Sequence, residues 1–317
     1  MQYIYNYADF LLRTITIVVS ILIIIASIAS QKRKTPGELH AECINEKLSQ
    51  DKEKLIKKFK LKQLKKEKKT RLVERPKAYI LDFNGDIKAS QTQQLREEIT
   101  AILSVILPND EVMIRIESPG GAVNGYGFAA SQIERLRKNN VHITVCIDQV
   151  AASGGYLMAC VAHKIFAAPF SIIGSIGVVA QMPNLNKWLK KHDIDFEQIT
   201  AGEYKRTLTV FGENTNEGRK KFAEDLEQIH HRFKNVVATY RPHLQIDRVA
   251  TGEHWLASDA IELGLVDELK TSDDWLMCKS ESHQLILISK LKTKSLSEKI
   301  FKSASLLYKQ IVTKLCI

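Results

Sequence analysis

Two glycine-rich motifs carry the first chemistry visible in this sequence. Ser118-Pro119-Gly120-Gly121-Ala122-Val123 follows the apolar run 112–116, and Ala151-Ala152-Ser153-Gly154-Gly155-Tyr156 follows the apolar run 141–147. Each stands where a strand gives way to a helix. Glycines let a backbone approach a ligand closely, and the free N–H groups at a helix start attract negative charge. The first motif therefore reads as an oxyanion-binding turn or as an ordinary tight turn. In the second, Ser153 is flanked by residues too small to block approach, so it reads as an exposed nucleophile or as a plain helix N-cap.

A nucleophilic serine needs a base. His163 is the nearest histidine, ten residues on, and an unbroken helix would carry it ~15 Å away. His142, His192, His230, His231 and His254 reach Ser153 only through folding, and the spacing supports no histidine triad. A lysine serves if it is neutral, which at an ordinary lysine pKa of ~10.4 takes burial and a neighbouring cation. Lys205, in Gly202-Glu203-Tyr204-Lys205-Arg206, has a cation beside it. From these residues alone it reads as an exposed loop lysine.

The elements that must position these residues alternate in type. Apolar runs at 78–83, 112–116 and 141–147 read as strands, and 164–168 and 172–179 are further apolar runs. Helical periods cover 91–107, 123–139, 216–240 and 257–263, with Leu95, Ile99, Ile102 and Ile106 showing the spacing in the first. Strands alternating with helices predict an α/β fold with a largely parallel sheet.

The ends of the chain differ from this middle. The protein has 317 residues and a net charge of +10. Residues 32–75 hold 16 Lys/Arg against 7 Asp/Glu, and residues 279–317 hold 8 Lys against 2 Glu, which leaves residues 76–278 mildly acidic. This distribution argues against nucleic acid as the partner. Residues 14–31 carry no charge, and with Phe10, Leu11 and Leu12 they give about 20 apolar positions, the length that spans a bilayer core. Arg13 and Tyr3, Tyr5 and Tyr7 suit the interface, and Lys32, Arg33 and Lys34 follow as a stop-transfer flank. Residues 8–31 are thus expected to be a transmembrane anchor, 32–75 a basic helical spacer, 76–278 the catalytic domain and 279–317 a basic amphipathic tail. The five cysteines, Cys43, Cys146, Cys160, Cys278 and Cys316, are scattered, so neither a disulfide framework nor a zinc site is expected, and no cofactor is called for.

In order and spacing, SPGGAV (118–123), AASGGY (151–156), IIGSIGV (172–178) and GEYKRT (202–207) resemble the signal peptide peptidase A/protease IV family of membrane serine peptidases. The basic N-terminal extension and the stretch 200–222 are most similar to its SohB branch. The resemblance implies a Clp-protease/crotonase-like ββα superhelix with Ser153 as nucleophile and Lys205 as general base. Gly121 and Gly154 would supply oxyanion N–H groups, and Ser175 would orient the lysine. It further implies a single-pass protein of the cell (inner) membrane, acting on peptides or membrane-associated protein segments. Its subunits would assemble into homo-oligomers in which Lys205 of one chain serves Ser153 of the next. The charges at 32–34 place that flank in the cytoplasm, whereas the catalytic module of the family often faces away from it, so both orientations stay open. The competing readings are a crotonase-type acyl-CoA enzyme and an inactive membrane scaffold of the same fold.

Overall fold

The segment Lys77–Asn84 (β2) shows why the sheet is buried on both sides. Tyr79, Leu81 and Phe83 point to one face while Ala78 and Ile80 point to the other, and all five are buried. Such near-continuous apolar runs belong to parallel strands covered on both faces. The computed structural model describes residues 6–7, 9–18, 20, 39–59 and 75–290. It adds β1 (Leu39–Cys43), β3 (Glu111–Glu117), β4 (His142–Ile147), β5 (Val150–Ala152), β6 (Lys164–Ala167), β7 (Ile172–Gly174), β8 (His254–Leu256), β9 (Glu268–Leu269) and β10 (Gln284–Lys290).

Among the described residues the main sheet has seven strands in the order β1-β10-β2-β3-β4-β6-β9. Every pairing from β10 through β9 is parallel. A second sheet, β5-β7-β8, joins β5 and β7 in parallel and β7 and β8 antiparallel.

The helices are α1 (Ile44–Phe59), α2 (Thr92–Val105), α3 (Val123–Lys138), α4 (Gly154–Ala159), α5 (Asn186–Lys191), α6 (Asn216–Tyr240), α7 (Ile246–Val249), α8 (Ala257–Ala260) and α9 (Ser272–Ser280). Leu95, Ile99 and Ile102 of α2 and Tyr126, Ala129, Ile133 and Leu136 of α3 fill the larger core. Trp275 and Leu276 of α9 cover the opposite face, on Ala78, Ile80, Met113, Cys146 and Leu285. A capping box of Thr271 and Asp274 starts α9, and Asp148 accepts bonds from the Ser272 N–H and hydroxyl at 2.8 and 2.6 Å.

Several expectations change at the ends of this domain. Within the charged run 32–75, read as a helical spacer, residues 39–43 form a strand, β1, before α1; residues 32–38 and 60–74 lie outside the described residues. Within 279–317, read as a basic amphipathic tail, residues 279–280 end α9 and Gln284–Lys290 form β10, paired with β2 in the register Leu285↔Ala78. Consecutive apolar residues explain the difference. Leu285 and Leu287 pack toward one face of the sheet and Ile286 and Ile288 toward the other, which a helix stripe could not bury. Residues 291–317 lie outside the described residues. The run 172–179 is a strand only over Ile172–Gly174, because Ser175 turns to φ +52°. The helix expected over 257–263 is α-helical only at Ala257–Ala260.

At the N-terminus residues 9–18 are helical, with Arg13 and Asp9 paired at 2.9 Å. Thr14, Thr16 and Ser20 each donate to the carbonyl four residues back at 2.8 Å, so their hydroxyls are satisfied within the helix. No helix among the described residues is long and apolar enough to cross a membrane. Residues 8, 19 and 21–31 of the expected anchor lie outside the described residues.

Candidate active site

The end of β3 leaves its sheet and crosses to β5. Ser118 N–H donates to Val150 O at 2.8 Å, and Ala152 N–H donates to Ser118 O at 3.0 Å. These bonds lace the first glycine motif to the strand that carries Ser153. β5 pairs with β7 up to Ala152↔Gly174, and Ser153 N–H donates to Gly174 O at 2.8 Å. Ser153 and Ser175 are therefore the next residues beyond the paired ends of neighbouring strands. Ser175 is held from behind, its N–H donating to Glu253 O at 2.6 Å.

Ser153 adopts φ +51° and ψ −117° at the junction of β5 and α4. A non-glycine residue in this region is strained by about 1–3 kcal/mol and persists only where its surroundings impose it. Sharp strand-to-helix turns of this kind present a nucleophile's oxygen away from its own backbone. Ser153 is half-buried and its hydroxyl makes no side-chain capping bond, so the plain N-cap reading fails. Gly154 begins α4, and its N–H has no acceptor within the helix.

Gly120 rather than Gly121 packs directly on the serine. Gly120 has φ +91°, and a Cβ there would stand 2.7 Å from Ser153 Cβ and 2.8 Å from Gly154 N. Its own N–H is engaged, donating to Ser118 Oγ at 3.1 Å. Gly121 is exposed, and its N–H has no acceptor among the described residues. A Cβ on Gly121 would collide with Ile87 O, the acceptor of the Ala122 N–H at 2.7 Å, so the loop 85–90 closes over this turn. Sequence reasoning missed that loop and also Tyr126, whose hydroxyl lies beneath the turn. Only the register of α3 could have pointed to Tyr126, and that register reads as ordinary core.

Among the described residues no hydrogen bond joins Lys205 to Ser153. Lys205 is exposed in the turn closed by its own N–H to Gly202 O at 3.2 Å, and its side chain makes no hydrogen bond or ion pair among the described residues. The surrounding segment is strongly exposed too, with Val179 79%, Ile199 95% and Trp188 55% accessible. It is tied mostly to itself, through Asn184 to Thr209 O and Gly212 O and through Leu185 N–H to Val210 O. His163 is committed elsewhere: its Nδ1 accepts the Ile143 N–H at 3.1 Å and its ring stacks on His142. Among the described residues no group of His, Cys, Asp and Glu could hold a metal ion.

Comparison with known proteins bears on the family of the chain. The model for "Peptidase family S49" matches residues 135–285, and that for "Peptidase family S49 N-terminal" matches residues 2–133. "Probable protease SohB" of Haemophilus influenzae is 46% identical over 326 residues, covering 94% of this chain and 92% of that protein. A protein of the same name from Buchnera aphidicola subsp. Schlechtendalia chinensis is 47% identical, covering 88% of this chain and 100% of its own. Among solved structures, the 1510-N membrane-bound stomatin-specific protease in complex with a substrate peptide matches at 14% identity and a TM-score of 0.45, covering 72% of this chain and 99% of that one. With two family models spanning almost the whole length and relatives this similar from end to end, the chain belongs to Peptidase family S49.

Proposed function

We propose that this peptidase is a membrane-anchored serine endopeptidase in which Ser153 is the nucleophile and Lys205 the general base. The observation that carries the reading is the backbone of Ser153. A half-buried serine held at positive φ, against a glycine turn with a free N–H, is arranged for attack. Neutral Lys205 takes the Ser153 proton as Oγ attacks the peptide carbonyl. The N–H groups of Gly121 and Gly154 receive the charge that develops on the carbonyl oxygen. The lysine, now an ammonium held by Ser175, protonates the leaving amine, and water then hydrolyses the acyl-enzyme.

Within one chain Lys205 faces solvent, and this supports a base supplied to a neighbouring copy. The exposed apolar residues Val179, Trp188 and Ile199 around it fit the same reading, since a second copy would cover them. The substrate is a peptide or an unfolded, membrane-associated protein segment. Residues 8–31 form the anchor in the cell (inner) membrane, and residues 76–278 hold the catalytic machinery on a Clp-protease/crotonase-like frame.

The test starts from membranes washed with carbonate. The protein should stay in the pellet and, after detergent extraction, cleave denatured casein and react with a serine-directed phosphonate. Ser153→Ala should lose both activities and still fold. Labelling that persists in Ser153→Ala overturns the assignment of the nucleophile, and release by carbonate overturns the anchor.

A further inference from the structure

Tyr126 is fully buried in the first turn of α3, yet its side chain reaches three separate pieces of the site. Its hydroxyl donates to Asp86 O, in the loop that closes over Gly121, at 2.8 Å. The same oxygen lies 2.6 Å from Ser118 Oγ. A tyrosine has one hydroxyl proton, and Asp86 O takes it, so Ser118 must be the donor in the second bond. Ser118 Oγ in turn accepts the Gly120 N–H at 3.1 Å. The proton directions therefore form one chain: Gly120 N–H to Ser118 Oγ, Ser118 Oγ–H to Tyr126 Oη, and Tyr126 Oη–H to Asp86 O. Both side chains are inaccessible to solvent, and bonds in such a chain polarise and strengthen one another.

The packing around the chain leaves no slack. A Cβ at Gly85 would collide with both Ser118 Oγ and Tyr126 Oη, and one at Gly154 would collide with the Tyr126 ring. The tyrosine thus supports the helix start that carries Ser153 from below while its hydroxyl fixes the turn beside it. Burial raises the pKa of the phenol, the Ser118 hydrogen bond opposes it, and the nearby Asp86 carboxylate acts with burial.

We infer that Tyr126, acting through Ser118, is a positioning residue that fixes the Gly120–Gly121 turn against Ser153. With the Gly120 N–H drawn inward onto Ser118, the Gly121 N–H is left free to face a developing oxyanion. The inference rests on the peptidase reading above and adds residues to it that touch neither substrate nor the reacting atoms.

The experiment measures kcat and KM per phosphonate-titrated site, well below the melting temperature, for Tyr126→Phe, Ser118→Ala and the double variant. Misplacing a donor by about an ångström costs on the order of a hundredfold. Each single variant should lower kcat by about ten- to a hundredfold with KM within about twofold. The double variant should be little worse than the larger single effect, because one chain is broken either way. Phe83→Leu is the control for a merely structural role. Phe83 packs edge-on against the Tyr126 ring, with centroids 6.3 Å apart, but lies outside the chain. It should lower stability and keep kcat per titrated site. If Tyr126→Phe does not fold, Ser118→Ala carries the same expectation. Wild-type kcat in folded Tyr126→Phe or Ser118→Ala, or an equal loss in Phe83→Leu, overturns this inference alone. A wild-type protein without Ser153-dependent turnover overturns the peptidase reading, and the inference with it.

Discussion

Gly120 shows how much one missing methyl can decide. With φ at +91°, alanine there is strained by about 1–3 kcal/mol even in open space. The space is not open, since the new carbon would stand 2.7 Å from Ser153 Cβ and 2.9 Å from Ala152 O. Gly120→Ala is therefore expected to lower kcat by about 10²–10³, the usual effect of losing an oxyanion donor, together with a fall in melting temperature. Gly127→Ala is the counterpart. Gly127 lies in α3, and a Cβ added there would meet nothing within 4 Å, so alanine should stabilise by about 0.5–1 kcal/mol and leave kcat unchanged. Thermal melts and casein turnover on the two variants check both statements. The serine and the two glycine motifs are readable from residue type and spacing. Which of two adjacent glycines packs on Ser153 is not, because sequence carries no sign of φ. Tyr126 is hidden for another reason: a buried aromatic at helical spacing looks the same whether its hydroxyl is idle or bonded.

Among the elements, the long ones are legible in the sequence and the ends of the domain are not. α6 occupies 216–240, the span its apolar spacing indicates, and β2, β3 and β4 follow their apolar runs to within two residues. β10 escapes such reading because Leu285, Ile286, Leu287 and Ile288 form a short continuous apolar run, whose periodicity does not tell a buried strand from a buried helix segment; pairing with β2 decides between them, and that information is non-local. Between β4 and the end of α4, His163 makes a reciprocal contact. Its backbone N–H donates to Ile143 O at 2.9 Å, and its Nδ1 accepts the Ile143 N–H at 3.1 Å. Burial first, then the Arg137 charge and the His142 ring, lowers its pKa below the ordinary histidine value. The fold thus favours the neutral ring, while the unfolded chain takes up a proton near pH ~6.5. The stabilisation is complete above that pH and is lost as the pH falls from ~6.5 through the folded value. Melting temperature should accordingly drop between about pH 7 and pH 5, and part of that drop should vanish in His163→Asn, whose amide oxygen still accepts the Ile143 N–H. An unchanged slope in the variant would remove His163 from the account.

At the scale of the whole molecule, the exposure of Lys205, with no hydrogen bond to Ser153, is the feature to explain. The other proposed site residues lie in the turns that leave β3, β5 and β7, and backbone hydrogen bonds of Ser118, Ser153 and Ser175 hold those turns. Lys205 instead sits in a self-bonded, exposed segment, beside apolar residues such as Ile199 that the chain itself does not cover. A heterologous interface, in which the segment of one copy lies over the Ser153 turn of the next, would complete the site at each contact in a closed ring. Two inactive variants test this directly. Ser153→Ala retains the lysine and Lys205→Ala retains the serine, so in a mixed ring a Lys205 of the first can meet a Ser153 of the second. Random assembly from equal amounts places such a pair at about a quarter of the contacts, and turnover should approach that fraction of wild type. Lys205→Arg on its own should be inactive, because a guanidinium cannot give up its proton in a protein. The measurement is co-expression of the two variants on distinguishable tags, purification through both tags in sequence, and casein turnover of the doubly tagged oligomers. Doubly tagged oligomers without turnover would place both residues of each site within a single chain. The exposed segment would then have to fold back onto its own Ser153 before catalysis.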